Sequence, residues 1–340
     1  MQLSAGKYRG FQRLADAGGR FKMVAIDQRT PLFGPIARKR GASDAPYDDV
    51  AAVKERLTER LSSRASAMLL DPLYAFPRVL PLMDPRPGLI LSLEHSAVEE
   101  TPEGRRSLNI PGWSVEKIRR TGADAVKVLV WYRHDAPEAV RMHQQEFVRA
   151  AGEACARADI VHLLEILVYP LPGEDPGTFS SRRSELVHGA VRDFLDPTFG
   201  VDIYKLESPA RLADVPDPDG AEASGVQALY DRLAENLDRP WVLLSAGAGS
   251  EDFARALTYA YRAGASGYLC GRAIWASAFE RFPDFAAMDR VLVDEALPYL
   301  DRINVLTDGL ASPWPTRAGS EGAIRILDAG PGFPGAYAAP

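Results

Sequence analysis

Short runs rich in Val, Ile and Leu recur along this chain, each followed by Gly, Pro or polar residues and then by a helical pattern. They fall at 22–27, 66–71, 88–94, 123–131, 160–168, 202–207, 241–245 and 266–270, which makes eight strand candidates in one chain. Between them, 47–64, 138–156 and 252–263 carry apolar residues at three-and-four spacing, the stripe of an amphipathic helix. Eight alternations of strand and helix predict a single-domain (β/α)8 barrel. A doubly wound open sheet also alternates, but it carries a glycine fingerprint after its first strand, where this chain has Asp27-Gln28-Arg29-Thr30-Pro31. The Pro- and Gly-rich stretches 80–87 and 170–177 are short enough for loops, so the barrel is expected to fill 1–316. The Gly/Ala/Pro-rich remainder, 317–340, reads as an irregular tail.

Barrels build their active sites at the C-terminal ends of their strands, and the polar residues of these runs fall there. Asp27, Asp71 and Glu94 close the first three runs, while Ser245 and Gly271-Arg272 close the last two. More constraining are three ionisable residues inside apolar strands: Lys127 in the fourth, Glu165 in the fifth and Lys205 in the sixth. A lone strand lysine packs its stem and lets its ammonium reach water or a carboxylate. Three such groups on neighbouring strands point instead to one shared site, because a purely structural buried network must offset a large desolvation cost. Like charge and desolvation are expected to lower the lysine pKa. A neutral amine at Lys205 can then attack a ketone and form a Schiff base, whose cationic nitrogen draws electrons from the adjacent carbon–carbon bond. Glu165 is suited to moving the protons.

Residues 244–252 (Leu-Ser-Ala-Gly-Ala-Gly-Ser-Glu-Asp) follow the seventh strand with small residues just before a helix start. Ser245, Ala246 and Gly247, with Gly271 and Arg272 after the eighth strand, match the phosphate site that barrels build from these two loops. A tight turn with a helix cap is the alternative for the first of these loops. Gln28 and Arg29, beside Asp27, offer an amide and a guanidinium for hydroxyls or a second anion; an Asp–Arg pair stiffening the rim is the competing reading.

A formal net charge of −6 argues against a nucleic-acid or anionic membrane surface. No run approaches the ~18 apolar residues of a membrane span. With 46% hydrophobic residues the chain can fold without a staple, so Cys155 and Cys270 read as reduced thiols and the expected location is the cytoplasm. The five histidines are scattered, which leaves metal chemistry little support; His95, next to Glu94, is the one to watch, and His162 is expected to pack within its strand.

At these residues the chain resembles the class I tagatose 1,6-bisphosphate aldolase family, which also includes sulfofructose-phosphate aldolases. The resemblance spans about residues 8 to 316. It is carried by Ala25-Ile26-Asp27-Gln28-Arg29, Leu69-Leu70-Asp71-Pro72, Gly122-Ala123-Asp124-Ala125-Val126-Lys127, Leu164-Glu165, Asp202-Ile203-Tyr204-Lys205-Leu206-Glu207, Leu244-Ser245-Ala246-Gly247, Cys270-Gly271-Arg272 and Ala311-Ser312-Pro313-Trp314. It implies a metal-independent, cofactor-free barrel aldolase acting on a phosphorylated sugar. Lys205 would form the Schiff base, Glu165 would transfer protons and Lys127 and Asp27 would assist. Gln28, Arg29, Ser245, Gly247, Gly271 and Arg272 would hold hydroxyls and phosphate. The chain departs from the tagatose branch at Glu94-His95-Ser96, across 99–113 and in 169–181, so a 6-sulfo or 6-deoxy ketose 1-phosphate is the alternative substrate. A non-catalytic sugar-phosphate sensor and a metal-dependent barrel lyase are the readings from other classes. A homo-oligomer is expected by analogy of fold.

Overall fold

The computed structural model describes residues 1–318 and 324–337. Each of the eight runs forms a strand: β1 (Phe21–Ala25), β2 (Ala67–Leu70), β3 (Gly88–Ser92), β4 (Ala125–Trp131), β5 (Val161–Leu167), β6 (Ile203–Leu206), β7 (Trp241–Leu243) and β8 (Gly267–Cys270). They pair in parallel in sequence order and β8 closes onto β1, giving a barrel. Because one strand face lines the barrel and the other meets helices, nearly every strand residue is buried, which is why the runs read as continuously apolar. Closure between β8 and β1 depends on Gly267, at φ 152°. There a Cβ would come within 1.9 Å of the Phe21 carbonyl oxygen.

The three helices read from apolar spacing are present as Tyr47–Leu61, Glu138–Arg157 and Ser250–Arg262. Their buried stripes, such as Val50, Val53, Leu57 and Leu61, join the core between barrel and helices. A second core fills the barrel itself, where Met23, Leu69, Ile90, Leu163, Ile203, Val242 and Leu269 point inward. Its N-terminal end is plugged by the helix Ala5–Leu14, with Phe11 stacked 4.6 Å from the ring of Trp314. The lower barrel is therefore apolar, and the ionised groups that line its mouth lie toward the strands' C-terminal ends.

The tail is less irregular than its composition suggested. Arg325–Ile326 pairs in parallel with Gln2–Leu3, Phe333–Ala336 forms a short helix, and the Tyr337 hydroxyl donates to Asp159. Main-chain pairing with the N-terminal segment gives this Gly-rich stretch an order that no side-chain pattern encodes. Residues 319–323 and 338–340 of the expected tail lie outside the described residues.

Candidate active site

Parallel pairing sets the site's register. Glu165 on β5 lies directly opposite Lys205 on β6, and Leu129 on β4 lies opposite Glu165. Side chains alternate with period two, so Lys127, Leu129 and Trp131 share the inward face of β4. All three line one cavity with Glu165 and Lys205. The Lys205 ammonium is 2.9 Å from Glu165 Oε2, and the same oxygen is 2.8 Å from Lys127. Lys127 also reaches Asp27 Oδ2 at 3.0 Å and Glu94 Oε1 at 2.7 Å. One ammonium thus gathers three carboxylates from β5 and from the segments after β1 and β3.

The field within this cluster is one-sided for Lys127. Burial pulls its amine down, but Asp27, Glu165 and Glu94 outweigh that and raise its pKa well above the ordinary lysine range. The sign of this shift is set by the carboxylates, which are the charges nearest to Lys127. Burial raises Asp27 and Glu165, yet the two lysines dominate and hold both below the usual carboxylate range. Glu94 goes the other way: its burial prevails over Lys127 and Arg29, and its pKa rises.

The barrel mouth opens as two lobes that share Gln28, Trp131, Glu165, Leu167, Lys205 and Arg272. The smaller, about 230 Å³, is bounded by Ser245, Ala246, Gly271 and Arg272. Ala246 (φ 46°) and Gly247 (φ 84°) are consecutive left-handed residues that curl this loop. A Cβ on Gly247 would meet the Arg272 guanidinium at 3.0 Å, so Gly247 supports the arginine without lining the lobe. At Gly271 a Cβ would lie 2.3 Å from the Ala25 carbonyl, so only glycine lets loop eight approach β1. The helices Ser250–Arg262 and Arg272–Phe279 begin beside this lobe, an arrangement suited to an anion.

The larger lobe, about 610 Å³, is bounded by Asp27, Gln28, Arg29, Glu94, His95 and Arg105. Arg29 is buried; its guanidinium donates to the Glu94 carbonyl at 3.1 Å and lies 3.6 Å from the Glu94 carboxylate. Asp27 Oδ1, Gln28 Oε1, Arg29 Nε and Glu94 Oε2 are buried and make no hydrogen bond within the protein. Unsatisfied buried polar atoms are costly, and four beside one cavity fit a ligand rich in hydroxyls.

The residues read from sequence are thus brought together, with Gly247 in a supporting position. Missed were Glu94 as the third carboxylate on Lys127, and Trp131 and Arg105 on the wall; a carboxylate ending a strand was the available signal for Glu94. Asp71, expected at the mouth, instead forms a fully buried ion pair with Lys54 and also accepts from the amides of Leu73 and Tyr74. His95 edges the larger lobe, its Nδ1 hydrogen-bonded to the amide of Ala97. His162 is buried beneath the site, and burial pulls its pKa down to about 4. Burial pushes the Cys270 and Cys155 thiols up, which makes them inert. No helix among the described residues is long and apolar enough to cross a membrane.

The chain is similar to proteins of known family along most of its length. The profile described as DeoC/LacD family aldolase matches residues 21–277. A tagatose 1,6-diphosphate aldolase from Listeria monocytogenes serotype 4a is 30% identical, with 96% of this chain and 99% of the relative covered. One from Streptococcus pneumoniae strain R6 is also 30% identical, over 93% of this chain and 100% of the relative. Among solved structures, a fructose-bisphosphate aldolase from Plasmodium falciparum superposes with a TM-score of 0.62 at 16% identity, covering 92% of this chain and 98% of that one. This last likeness is one of fold.

Proposed function

We propose, because this chain belongs to the DeoC/LacD aldolase family, that Lys205 is the Schiff-base nucleophile of a class I aldolase cleaving D-tagatose 1,6-bisphosphate. That the protein is an aldolase follows from its family and its full-length relatives; the residue roles and the sugar are our reading. The observation that carries it is the pairing of Lys205 with Glu165 at 2.9 Å, at the junction of two polar lobes.

Glu165 takes a proton from the Lys205 ammonium, the freed amine attacks C2 of the open-chain ketose, and Glu165 returns that proton to the carbinolamine hydroxyl, which leaves as water to give an iminium. The C4 hydroxyl then gives its proton to Glu165, the C3–C4 bond breaks, and its electron pair moves into the enamine on Lys205. Glyceraldehyde 3-phosphate departs. Protonation of the enamine at C3 and hydrolysis of the iminium release dihydroxyacetone phosphate and restore the amine. The iminium is the electron sink, so the cycle calls for no metal or other cofactor.

Glu165 begins the cycle ionised, which the two neighbouring ammonium groups favour. Lys127, held as a cation by three carboxylates, keeps Glu165 in position throughout. Asp27 and Gln28, with atoms unsatisfied by the protein, receive substrate hydroxyls. The lobe of Ser245, Ala246, Gly271 and Arg272 receives the 1-phosphate. Two free, buried thiols suit a reducing compartment and support a cytoplasmic setting.

The test is a coupled assay of triose phosphate release with and without EDTA. We expect EDTA-resistant cleavage of D-tagatose 1,6-bisphosphate, with kcat/KM above that for a 6-deoxy ketose 1-phosphate. Release from neither sugar would reject the substrate class.

A further inference from the structure

The larger lobe has a wall that the cleavage steps do not use. Residues Glu99–Thr101 and Gly104–Arg106 form an antiparallel hairpin after β3, with Glu100 paired opposite Arg105. The hairpin is moored to Tyr169, whose hydroxyl accepts the Arg105 amide at 2.9 Å. Gly104, at φ 140°, permits this approach, since a Cβ there would lie 2.5 Å from the same hydroxyl. The Arg105 guanidinium then lies 4.7 Å from the Trp131 ring centroid and 4.9 Å from that of Tyr169, two rings set edge to face. Two aromatic rings fix the orientation of a side chain that is otherwise among the most mobile. Its partner Glu100, 3.0 Å from Nε, is on the solvent side with its side chain 62% exposed.

Register sets the height of this arginine above the amine. Lys205 and Glu165 share a layer with Leu129, and Trp131 lies two residues further along β4. Two residues of strand rise about 6.6 Å, so a guanidinium over Trp131 stands more than one side-chain layer above the amine. The smaller lobe, with Ser245, Ala246 and Gly271, shares Lys205 and Arg272 with the larger one but is not lined by Glu100 or Arg105. A six-carbon ketose attached to Lys205 through C2, with its C1 end in the smaller lobe, extends its C6 end toward this wall.

Resting on the Schiff-base reading above, we infer that Arg105 is the specificity residue for the far end of the substrate. It grips a terminal oxyanion on C6, a phosphate or a sulfonate, with Glu100 holding the guanidinium until the anion displaces it. An exposed Glu100 leaves at little cost, whereas an arginine clamped by two rings stays in place.

The experiment compares kcat/KM for D-tagatose 1,6-bisphosphate and D-tagatose 1-phosphate in the wild type, Arg105→Met, Arg105→Lys and Glu100→Gln. The preference for the bisphosphate should fall about 10- to 100-fold in Arg105→Met, the size of a lost charge-assisted hydrogen-bond pair. Arg105→Lys should recover part of it and Glu100→Gln should raise it. A structural clamp would lower both substrates alike, and an unchanged preference in Arg105→Met overturns the assignment. The same drop is expected with a 6-sulfo ketose 1-phosphate, and the higher wild-type kcat/KM identifies the natural end group. If the wild type cleaves neither sugar, the aldolase reading has failed and titration with inorganic phosphate followed by phosphorus NMR still decides the point. Two sites are expected in the wild type, one lost in Arg105→Met and the other in Arg272→Met. Two sites retained in Arg105→Met would contradict the inference.

Discussion

Two buried lysine centres lie on either side of the barrel wall, and they are built differently. Behind the wall, Lys54 on the helix Tyr47–Leu61 pairs with Asp71, both with fully buried side chains. Both charged groups of the pair are satisfied within the protein: Lys54 also donates to the Ile26 carbonyl at 2.7 Å, and Asp71 accepts two backbone amides. In the mouth, Lys127, Lys205 and Arg29 face Asp27, Glu94 and Glu165, so charge is balanced there too. Yet Asp27, Arg29 and Glu94 each keep a buried polar atom that the protein does not satisfy, beside an open cavity. Charge balance is common to both centres. What separates them is saturation: a saturated pair locks a helix onto the barrel, and an unsaturated network waits for a ligand.

The contrast predicts opposite kinds of damage. In the mouth, Glu165→Gln should lower kcat by about three orders of magnitude, the size of a lost proton-transfer group, with the protein still folded by circular dichroism. A kcat within a few-fold of the wild type would remove Glu165 from the chemistry. Behind the wall, Lys54→Met leaves Asp71 buried without its partner and should cost about 3–5 kcal/mol of stability in denaturant titration. Its kcat per folded molecule should stay close to that of the wild type. A large fall in kcat without loss of stability would show that the wall pair takes part in turnover.

A smaller effect separates the centres by pH. The folded-state pKa of Asp27 lies below its unfolded value, so Asp27 contributes stability above the ordinary aspartate range. That contribution is lost as pH falls from about 4 toward the lower folded value. Asp27→Asn should therefore show a shallower loss of melting temperature over this acid window than the wild type. Parallel curves would mean that Asp27 is not held ionised by the lysines.

The barrel was legible because its strands are covered on both faces, so Val, Ile and Leu run together in short stretches at regular intervals. Lys127, Glu165 and Lys205 were legible for the same reason, as charges interrupting those stretches. Glu94 was seen only as a strand-closing residue, since its bond to Lys127 depends on how the chain turns after β3. Asp71 looked like the residues at the mouth, but its partner comes from a helix 17 positions earlier in sequence. The rise in the Lys127 pKa was hidden because its sign depends on which charges are nearest, and strand spacing alone does not order those distances. Arg105 and Tyr169 fell within stretches marked only as departures from the tagatose branch, because the arginine's place comes from a hairpin seated on Tyr169, a contact between residues 64 apart in sequence.

The central claim is that Lys205, and not its fully caged neighbour Lys127, forms the covalent bond to substrate. Incubation with dihydroxyacetone phosphate and borohydride, followed by peptide mass mapping, tests this directly. The account predicts one reduced adduct, on the peptide bearing Lys205, with activity lost in proportion to labelling. An adduct on Lys127, or continued turnover with Lys205 unmodified, would contradict it.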